Sequence, residues 1–238
     1  MIEFVTAPAA LPPGQRVYAM GDIHGCHEQL TTLHAMIADD LAARPVETCV
    51  LLHLGDYIDR GAECAEVIDT LIAERGVPGV EVINLVGNHE DMMLTALSGG
   101  QTADGTLWLR NGGADSLLSW RIPRNAPQQT WGVLIPPEHQ QFVRGLRLTH
   151  RVGPYLFVHA GLRPGVPQAS QKREDLLWIR EPFLSSKKDH GAVVVHGHTP
   201  TREPIVRANR IGIDTGAVLG GVLTCAVLEL DKVGFLRA

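Results

Sequence analysis

Five short apolar segments of this chain each run directly into a polar cluster that contains Gly, Asp, Asn or His, and this regularity constrains the fold most strongly. The apolar segments alternate with helical patterns, which indicates an α/β fold. In an open α/β sheet, ligands bind beyond the carboxyl ends of the strands, so we expect the five clusters to meet in one crevice. The clusters are G-D-I-H-G from position 21, G-D-Y-I-D-R-G from 55, G-N-H-E from 87, H-A-G from 159 and H-G-H-T from 196.

The apolar patterns predict seven strands and two helices in the part of the chain that carries these clusters. The predicted strands cover 16–20, 48–54, 80–86, 155–158, 192–195, 210–213 and 222–230. Between the first two strands, a spacing of three and four residues predicts an amphipathic helix whose apolar positions are Leu30, Leu33, Ile37 and Leu41. A second helix is predicted after Arg60, with its end at Arg75-Gly76.

The segment from 98 to 151 differs in character from the rest, with Trp108, Trp120 and Trp131, a Gly112-Gly113 pair and several prolines. We expect a mostly helical insertion there that packs over one end of the sheet and covers the site. Trp108 and Trp120 are interpreted as packing residues. The length of 238 residues suits a single domain, 1–238, that includes this insertion.

Composition limits the classes of partner. Hydrophobic residues make up 45% and charged residues 20% of the chain, as in ordinary globular proteins. A formal net charge of -5 argues against general binding to nucleic acid or to a membrane surface, so we expect neither as a partner. The four cysteines stand singly, and neither a signal peptide nor an apolar run of roughly 18 residues is evident. We therefore expect a cytoplasmic protein, and the sequence leaves its oligomeric state open.

The polar clusters offer metal ligands of a defined kind. Asp22 and His24 are two residues apart, so at a strand end both side chains point the same way. An oxygen and imidazole set without thiolate suits Mn²⁺, Fe or Zn²⁺. There are more ligands than one ion needs, and two ions that share one carboxylate would use them all, with Asp56 as the bridge. The further ligand candidates are Asn88, His159 and His198.

Any one of these clusters, taken alone, is more often a capped turn than a metal site. Five clusters of suitable types, each after an apolar segment, favour the metal site. His53 lies within a predicted strand and is interpreted as a core histidine, whereas His196 shares a face with His198 and is interpreted as a residue that fixes a ligand. The histidines interpreted as solvent-exposed are His27, His34 and His190.

In their order along the chain, the five clusters resemble the motifs of the phosphoprotein phosphatase branch of the calcineurin-like metallophosphoesterases. The resemblance spans Gly21 to Thr199, and G-D-x-x-D-R-G followed by G-N-H-E is its most specific part. It implies two packed mixed β-sheets flanked by helices, a four-layer sandwich. It also implies two divalent metal ions, most readily Mn²⁺, with Fe or Zn²⁺ as alternatives. The first would take Asp22, His24 and Asp56, and the second Asp56, Asn88, His159 and His198.

The same resemblance implies a mechanism, in which a metal-bridging hydroxide attacks phosphorus in line. Arg60, Asn88 and Arg180 would bind the phosphate, since guanidinium groups match its oxygens in pairs. His89 would be the general acid that protonates the leaving group. Asp59 would orient the His89 ring and favour its protonated, charged form.

The late segment 213–221, I-D-T-G-A-V-L-G-G, lacks the tyrosine-bearing loop of the eukaryotic phosphatases and resembles the bacterial and phage members of the lambda phosphatase type. We therefore expect a bacterial-type serine/threonine phosphoprotein phosphatase that acts on a phosphorylated protein or a small phosphoester. One alternative is a symmetrical dinucleoside tetraphosphate hydrolase. Another, of a different class, is a non-catalytic module that binds phosphate through its metals.

Overall fold

A computed structural model describes residues 2–73, 80–98 and 102–238. Within them the chain forms eleven strands. They are β1 (Phe4–Thr6), β2 (Gln15–Met20), β3 (Thr48–His53), β4 (Glu81–Asn84), β5 (Thr149–Val152), β6 (Tyr155–Val158), β7 (Val193–His196), β8 (Ile205–Arg207), β9 (Arg210–Gly212), β10 (Thr224–Glu229) and β11 (Lys232–Arg237).

The strands form two mixed sheets. The first has the order β1-β11-β10-β2-β3-β4, in which β2, β3 and β4 are parallel and the other pairings are antiparallel. The second has the order β5-β6-β7-β9-β8, with β6, β7 and β9 parallel and an antiparallel strand at each edge. In each sheet, the carboxyl ends of three parallel strands therefore lie at the same end of the sheet.

Helices lie outside the sheets. They are α1 (His27–Ala43), α2 (Cys64–Ile72), α3 (Asn88–Leu97), α4 (Thr102–Trp108), α5 (Ala114–Ser119), α6 (Gln128–Leu134), α7 (Pro137–Arg144) and α8 (Arg173–Trp178). A π-helical turn, Leu109–Gly113, joins α4 to α5. No helix among the described residues is long and apolar enough to cross a membrane.

The alternation of side chains along each strand explains the layers. In β2, Tyr18 and Met20 face α1 and α2, whereas Val17 and Ala19 face the second sheet. In β6, Tyr155 and Phe157 pack against the first sheet. The opposite face of β6, Leu156 and Val158, packs in one cluster with Leu176 of α8 and with Leu162, which lies in the segment after β6. The resulting order of layers is helices, sheet, sheet and helix.

The predicted architecture of two packed mixed sheets flanked by helices is confirmed. All seven predicted strands form, and β1, β5, β8 and β11 were not predicted. The interpretation of His34 as solvent-exposed was wrong, because this residue is buried on α1 with its Nε2 3.0 Å from the Nε2 of His53. The predicted end of the second helix at Arg75-Gly76 lies outside the described residues.

Candidate metal centre

The clusters after the parallel strands of both sheets meet at one place. The Nδ1 atom of His159, after β6, donates to the carbonyl of Leu54, after β3, over 2.9 Å. The backbone N–H of His198, after β7, donates to the carboxylate of Asp22, after β2, with distances of 3.1 and 3.0 Å to its two oxygens. These bonds tie the edges of the two sheets together, so the expected crevice exists and the ligand candidates line it.

Asp56 lies at the centre of the crevice. One group of metal-ligating atoms combines it with His24 and His89, and a second combines it with His159 and His198. In each group the atoms lie within 4.8 Å of one another, and all five residues are buried. The carboxylate shared by both groups is the one that the sequence predicted as a bridge.

The hydrogen bonds of His159 test whether these residues suit a metal ion. Its Nδ1 donates to a carbonyl, which can only accept, so the Nε2 atom of the neutral ring carries a lone pair. That lone pair faces Oδ1 of Asn88 at 2.9 Å and Oδ1 of Asp56 at 3.5 Å. Three electron-pair donors converge there, as a cation requires.

His24 repeats this pattern, and His198 meets Asn88 through its other ring nitrogen, with Nδ1 2.9 Å from Oδ1 of Asn88. The Nδ1 atom of His24 donates to the carbonyl of Ile58 over 2.8 Å, which leaves on its Nε2 a lone pair that can bind a metal ion. Ligand histidines in proteins commonly donate their other ring N–H in this way. The Nε2 atom of His198 is buried and has no hydrogen-bond partner among the residues that the structure describes. The residues present therefore fit a divalent metal ion.

The electrostatics of the crevice also favour a cation. Burial raises the pKa of Asp22 and of Asp56, and the carboxyls of Asp214 and Glu90 respectively raise them further. Burial lowers the pKa of the imidazoles, to about 3 for His159 and about 2 for His198. The histidines are thus neutral, as ligands must be, and a divalent ion would stabilise the crowded carboxylates.

Glu90 holds the loop that carries Asp56. Its Oε2 atom accepts the N–H groups of Asp56 at 2.9 Å and Gly87 at 2.8 Å, and its Oε1 atom accepts those of Tyr57 at 2.8 Å and Ile58 at 3.3 Å. The loop needs this support because Asp56 adopts a φ of 54°, in the left-handed region that is unfavourable for residues with a Cβ.

The absence of a side chain at Gly87 allows this packing. A Cβ atom there would overlap the carboxylate and backbone nitrogen of Asp56 and would approach the Oε2 atom of Glu90 to 2.8 Å. Glycine is therefore a steric requirement of the G-N-H-E cluster.

His89 forms a buried pair with Asp59. The Nδ1 atom of His89 lies 2.7 Å from Oδ2 of Asp59, and the Nε2 atom lies 3.9 Å from Oδ2 of Asp56. Burial raises the pKa of Asp59 to about 8, and burial with the charge of Arg60 lowers the pKa of His89 to about 3. We assign the shared proton to His89 Nδ1, because the indole N–H of Trp108 and the hydroxyl of Ser116 also donate to the Asp59 carboxylate and favour its charged form.

Two arginines border the centre. Arg60 is exposed, with a φ of 70°, and its Nη1 atom lies 3.0 Å from Nε2 of His24. Arg180 follows α8 and is exposed. Burial is the largest cause of the lowered pKa of His198, His159 is the second, and the positive charge of Arg180 is the third. Both guanidinium groups are accessible to a ligand.

The structure differs from the expected ligand sets in one respect. The compact group around His24 and Asp56 includes His89, whereas Asp22 is not part of it. Asp22 instead lines the mouth of the crevice together with His24, Arg60 and Asp214.

His53 and His196 are also buried and have other contacts. His53 is a core histidine, as expected, and its Nδ1 atom is 2.8 Å from Oδ1 of Asn84. The ring nitrogens of His196 lie 3.1 Å from the carbonyl of Gly197 and 3.2 Å from Nη1 of Arg210.

Sequence reasoning assigned no role to Glu90, Asp214, Ser116 or the indole N–H of Trp108. For two of them a signal existed in the sequence. Glu90 is part of the G-N-H-E cluster and occupies the third position of α3, where a glutamate often accepts the N–H of the residue before the helix. Asp214 follows β9 in the same way that Asp22 follows β2.

Comparison with known proteins agrees with this geometry. A family model described as calcineurin-like phosphoesterase matches residues 15–221. Serine/threonine-protein phosphatase 1 of Salmonella typhimurium (strain LT2) is 32% identical over 225 residues, which cover 90% of this chain and 93% of the relative. Bis(5'-nucleosyl)-tetraphosphatase PrpE (asymmetrical) of Anoxybacillus flavithermus (strain WK1) is 26% identical over 225 residues, 86% and 87% of the two chains. A solved cold-active protein tyrosine phosphatase shares the fold, with a TM-score of 0.62 at 19% identity over 94% of this chain and 78% of its own.

Proposed function

The chain belongs to the calcineurin-like phosphoesterase family, as its motifs predicted, and we propose that it is a serine/threonine phosphoprotein phosphatase that works with two divalent metal ions. Members of this family use two divalent metals, and this chain supplies candidate metal-binding residues. The phosphoprotein as substrate is supported by the 32% identity to a bacterial serine/threonine phosphatase over nine-tenths of the chain.

The observation that carries the proposal is the shared position of Asp56 between two groups of buried ligand atoms. We assign His24 and Asp56 to one ion together with Asp22, which lies outside the compact group and enters this set on the resemblance of its motif to the family. We assign Asp56 with Asn88, His159 and His198 to the other ion. Mn²⁺ is the ion that we expect to support activity best, because the ligands are oxygens and imidazoles. When bound, the ions supply a nucleophile at neutral pH and neutralise the charge of the phosphate.

The remaining roles belong to side chains at the rim of the centre. Arg60 and Arg180 bind the phosphoryl oxygens, since both guanidinium groups are exposed beside the ligand residues. Asn88 contributes its amide to the same phosphate. To act as the general acid, His89 must carry protons on both ring nitrogens; the Asp59 carboxylate, which accepts the Nδ1–H, and the negative charge of a bound phosphate ester favour this cationic ring, and the Nε2 proton is transferred to the leaving oxygen as the P–O bond breaks.

A dinucleoside tetraphosphate hydrolase is the second candidate, because a bis(5'-nucleosyl)-tetraphosphatase is 26% identical over 86% of the chain. The two candidates share the metal centre and differ in the leaving group, which is an alkoxide in one case and a phosphate in the other. Hydrolysis of a phosphoserine peptide and of diadenosine tetraphosphate, measured side by side with Mn²⁺, separates them. A higher kcat/KM for the dinucleotide would contradict the phosphoprotein assignment.

Metal dependence separates both candidates from a non-catalytic phosphate-binding module. Extensive chelation should abolish hydrolysis, and Mn²⁺ should restore it better than Ca²⁺. Full turnover by metal-free protein, verified by elemental analysis, would contradict the two-metal mechanism. Phosphate binding without hydrolysis of either substrate would instead favour the binding module.

The role of His89 is tested through the leaving group. An alkoxide needs a proton as it leaves, whereas the phenolate released from p-nitrophenyl phosphate hardly does. His89→Ala should therefore cost about 10²–10⁴-fold on the phosphoserine peptide and distinctly less on the aryl ester. Equal losses on both esters, with metals still bound, would mean that His89 acts on the phosphoryl group and not on the leaving group.

A further inference from the structure

The carboxylate of Asp59 is held by two side chains from a distant part of the sequence. Trp108, at the end of α4, donates its indole N–H to both oxygens over 3.1 and 3.0 Å. Ser116, on α5, donates to Oδ1 over 2.6 Å and accepts the backbone N–H of Asp59 over 2.8 Å. All three residues are buried.

The direction of each hydrogen bond is fixed by chemistry. An indole N–H can only donate. The hydroxyl oxygen of Ser116 already accepts the N–H of Asp59, and its own proton points to Oδ1. Both partners therefore donate to the carboxylate, which stabilises its charged form in a buried site and leaves Oδ2 directed at His89 Nδ1.

The backbone of the segment 108–116 is shaped to reach this position. The π-helical turn Leu109–Gly113 lies between the two donors, and Gly112 within it has a φ of 111°. Its carbonyl accepts the N–H of Arg60 at 3.3 Å. A Cβ atom at Gly112 would come within 2.6 Å of that nitrogen, so glycine permits the contact. The segment thus touches both Asp59 and Arg60.

We propose that Trp108 and Ser116 are positioning residues for protonation of the leaving group, acting on His89 only through Asp59. This inference rests on the proposed function, since it needs His89 to be the general acid. It assigns a part of the predicted insertion, residues 108–116, to the catalytic machinery. Trp108 then has this positioning role in addition to the packing role expected from the sequence.

Ser116→Ala is the first test, because it removes the hydroxyl with little change in volume. Its matched control is Ser119→Ala on the same helix, whose hydroxyl accepts the N–H of Ala65 at 2.8 Å and makes no bond to Asp59. Ser116→Ala should lower kcat on a phosphoserine peptide by about 10- to 100-fold, the size expected for one hydrogen bond to a charged group. The loss on p-nitrophenyl phosphate should be distinctly smaller, with KM and metal content unchanged. Ser119→Ala should match the wild type on both substrates.

A double-mutant cycle separates positioning from general structural damage. If Ser116 acts through Asp59, then Ser116→Ala should have no further effect on kcat in an Asp59→Asn background. Additive losses, or equal losses on the two esters, would overturn the proposal. Trp108→Phe repeats the measurement independently, with Trp131→Phe as its control, because the Trp131 ring packs 5.4 Å from Trp108 while its N–H donates to the carbonyl of Ala126.

The outcomes distinguish this inference from the function on which it rests. No turnover of the phosphoserine peptide by the wild-type protein contradicts the proposed function, and the inference with it. The inference alone is overturned by a different set of results. In that case the wild type turns over the peptide and Asp59→Asn shows a large loss, but the kinetics of Ser116→Ala and Trp108→Phe are unchanged.

Discussion

Gly87→Ala should destroy the metal centre by adding one methyl group. The φ of Gly87 is −99°, which any residue can adopt, so the backbone conformation itself presents no obstacle to alanine. The obstacle is steric, because the new Cβ would overlap the carboxylate and backbone nitrogen of Asp56 and crowd Oε2 of Glu90. Since Glu90 is held by backbone donors, the loop that carries Asp56 must move.

The hydrogen bonds broken by that movement set the magnitude. Oε2 of Glu90 accepts the N–H of Gly87 at 2.8 Å and that of Asp56 at 2.9 Å. A hydrogen bond to a charged group contributes about 1.5–3 kcal/mol, so the loss of both lowers the free energy of unfolding by about 3–6 kcal/mol. Affinity for Mn²⁺ should fall at the same time, because Asp56 is common to both groups of ligand atoms.

Urea unfolding and calorimetric titration with Mn²⁺ measure the two effects. The control is Gly132→Ala in α6, where a Cβ would meet no atom within 4 Å. Removing a glycine from a helix should raise stability there by about 0.8–1 kcal/mol and leave Mn²⁺ binding unchanged. A Gly87→Ala protein with wild-type stability and wild-type Mn²⁺ affinity would refute the steric argument.

Three further predictions concern the centre and the core. Asp56→Asn should weaken the binding of both ions together. If elemental analysis finds two ions in this variant and its rate of hydrolysis is near normal, Asp56 is excluded as the bridge. Arg60→Ala should raise the inhibition constant of vanadate by about 10-fold or more, with the exposed Arg202→Ala as control, and an unchanged constant would exclude Arg60 from the phosphate site. Burial, assisted by His27, lowers the pKa of His34 to about 4 from an ordinary value of 6.5, so its contribution to stability is present above about pH 6.5 and is lost as the pH falls toward 4. His34→Gln should therefore make the acid-side slope of urea-derived stability shallower by about 1.4 kcal/mol per pH unit in that window, and identical slopes would contradict the assignment.

The sequence predicted the parts of the fold whose signal is local. Apolar segments of four or more residues identified the central strands of both sheets, and Leu30, Leu33 and Ile37 identified the buried face of α1. Three of the four strands that were missed, β1, β5 and β8, lie at sheet edges and have three or four residues each, whereas β11 has six residues and lies between β1 and β10. Edge strands bury less surface, so their sequences carry a weaker alternation of apolar and polar residues.

The candidate site was predictable where residues follow a strand directly, as Asp22, Asp56 and His159 do. Ser116 and Trp108 were not, because their contact with Asp59 spans 57 and 49 residues of chain and depends on how α4 and α5 dock. An isolated serine or tryptophan in a helix has no local pattern that reveals such a partner. The pairing of His34 with His53 was missed for the same reason, since it joins a helix to a strand 19 residues away.

Backbone strain explains why the centre needs so many supporting bonds. Five residues of the site clusters have φ between 46° and 73°, in the left-handed region: His24, Asp56, Asp59, Arg60 and His198. Each such residue costs of order 1–3 kcal/mol and persists only where its surroundings fix it. Glu90 fixes the loop of Asp56 through four backbone N–H groups, and Ser116 fixes the backbone of Asp59. These supports are protein groups, so they hold the loops of the ligand residues through contacts that do not involve an ion. The crowded carboxylates of the ligands then make the fold less stable without the ions than with them, so metal affinity and stability are linked.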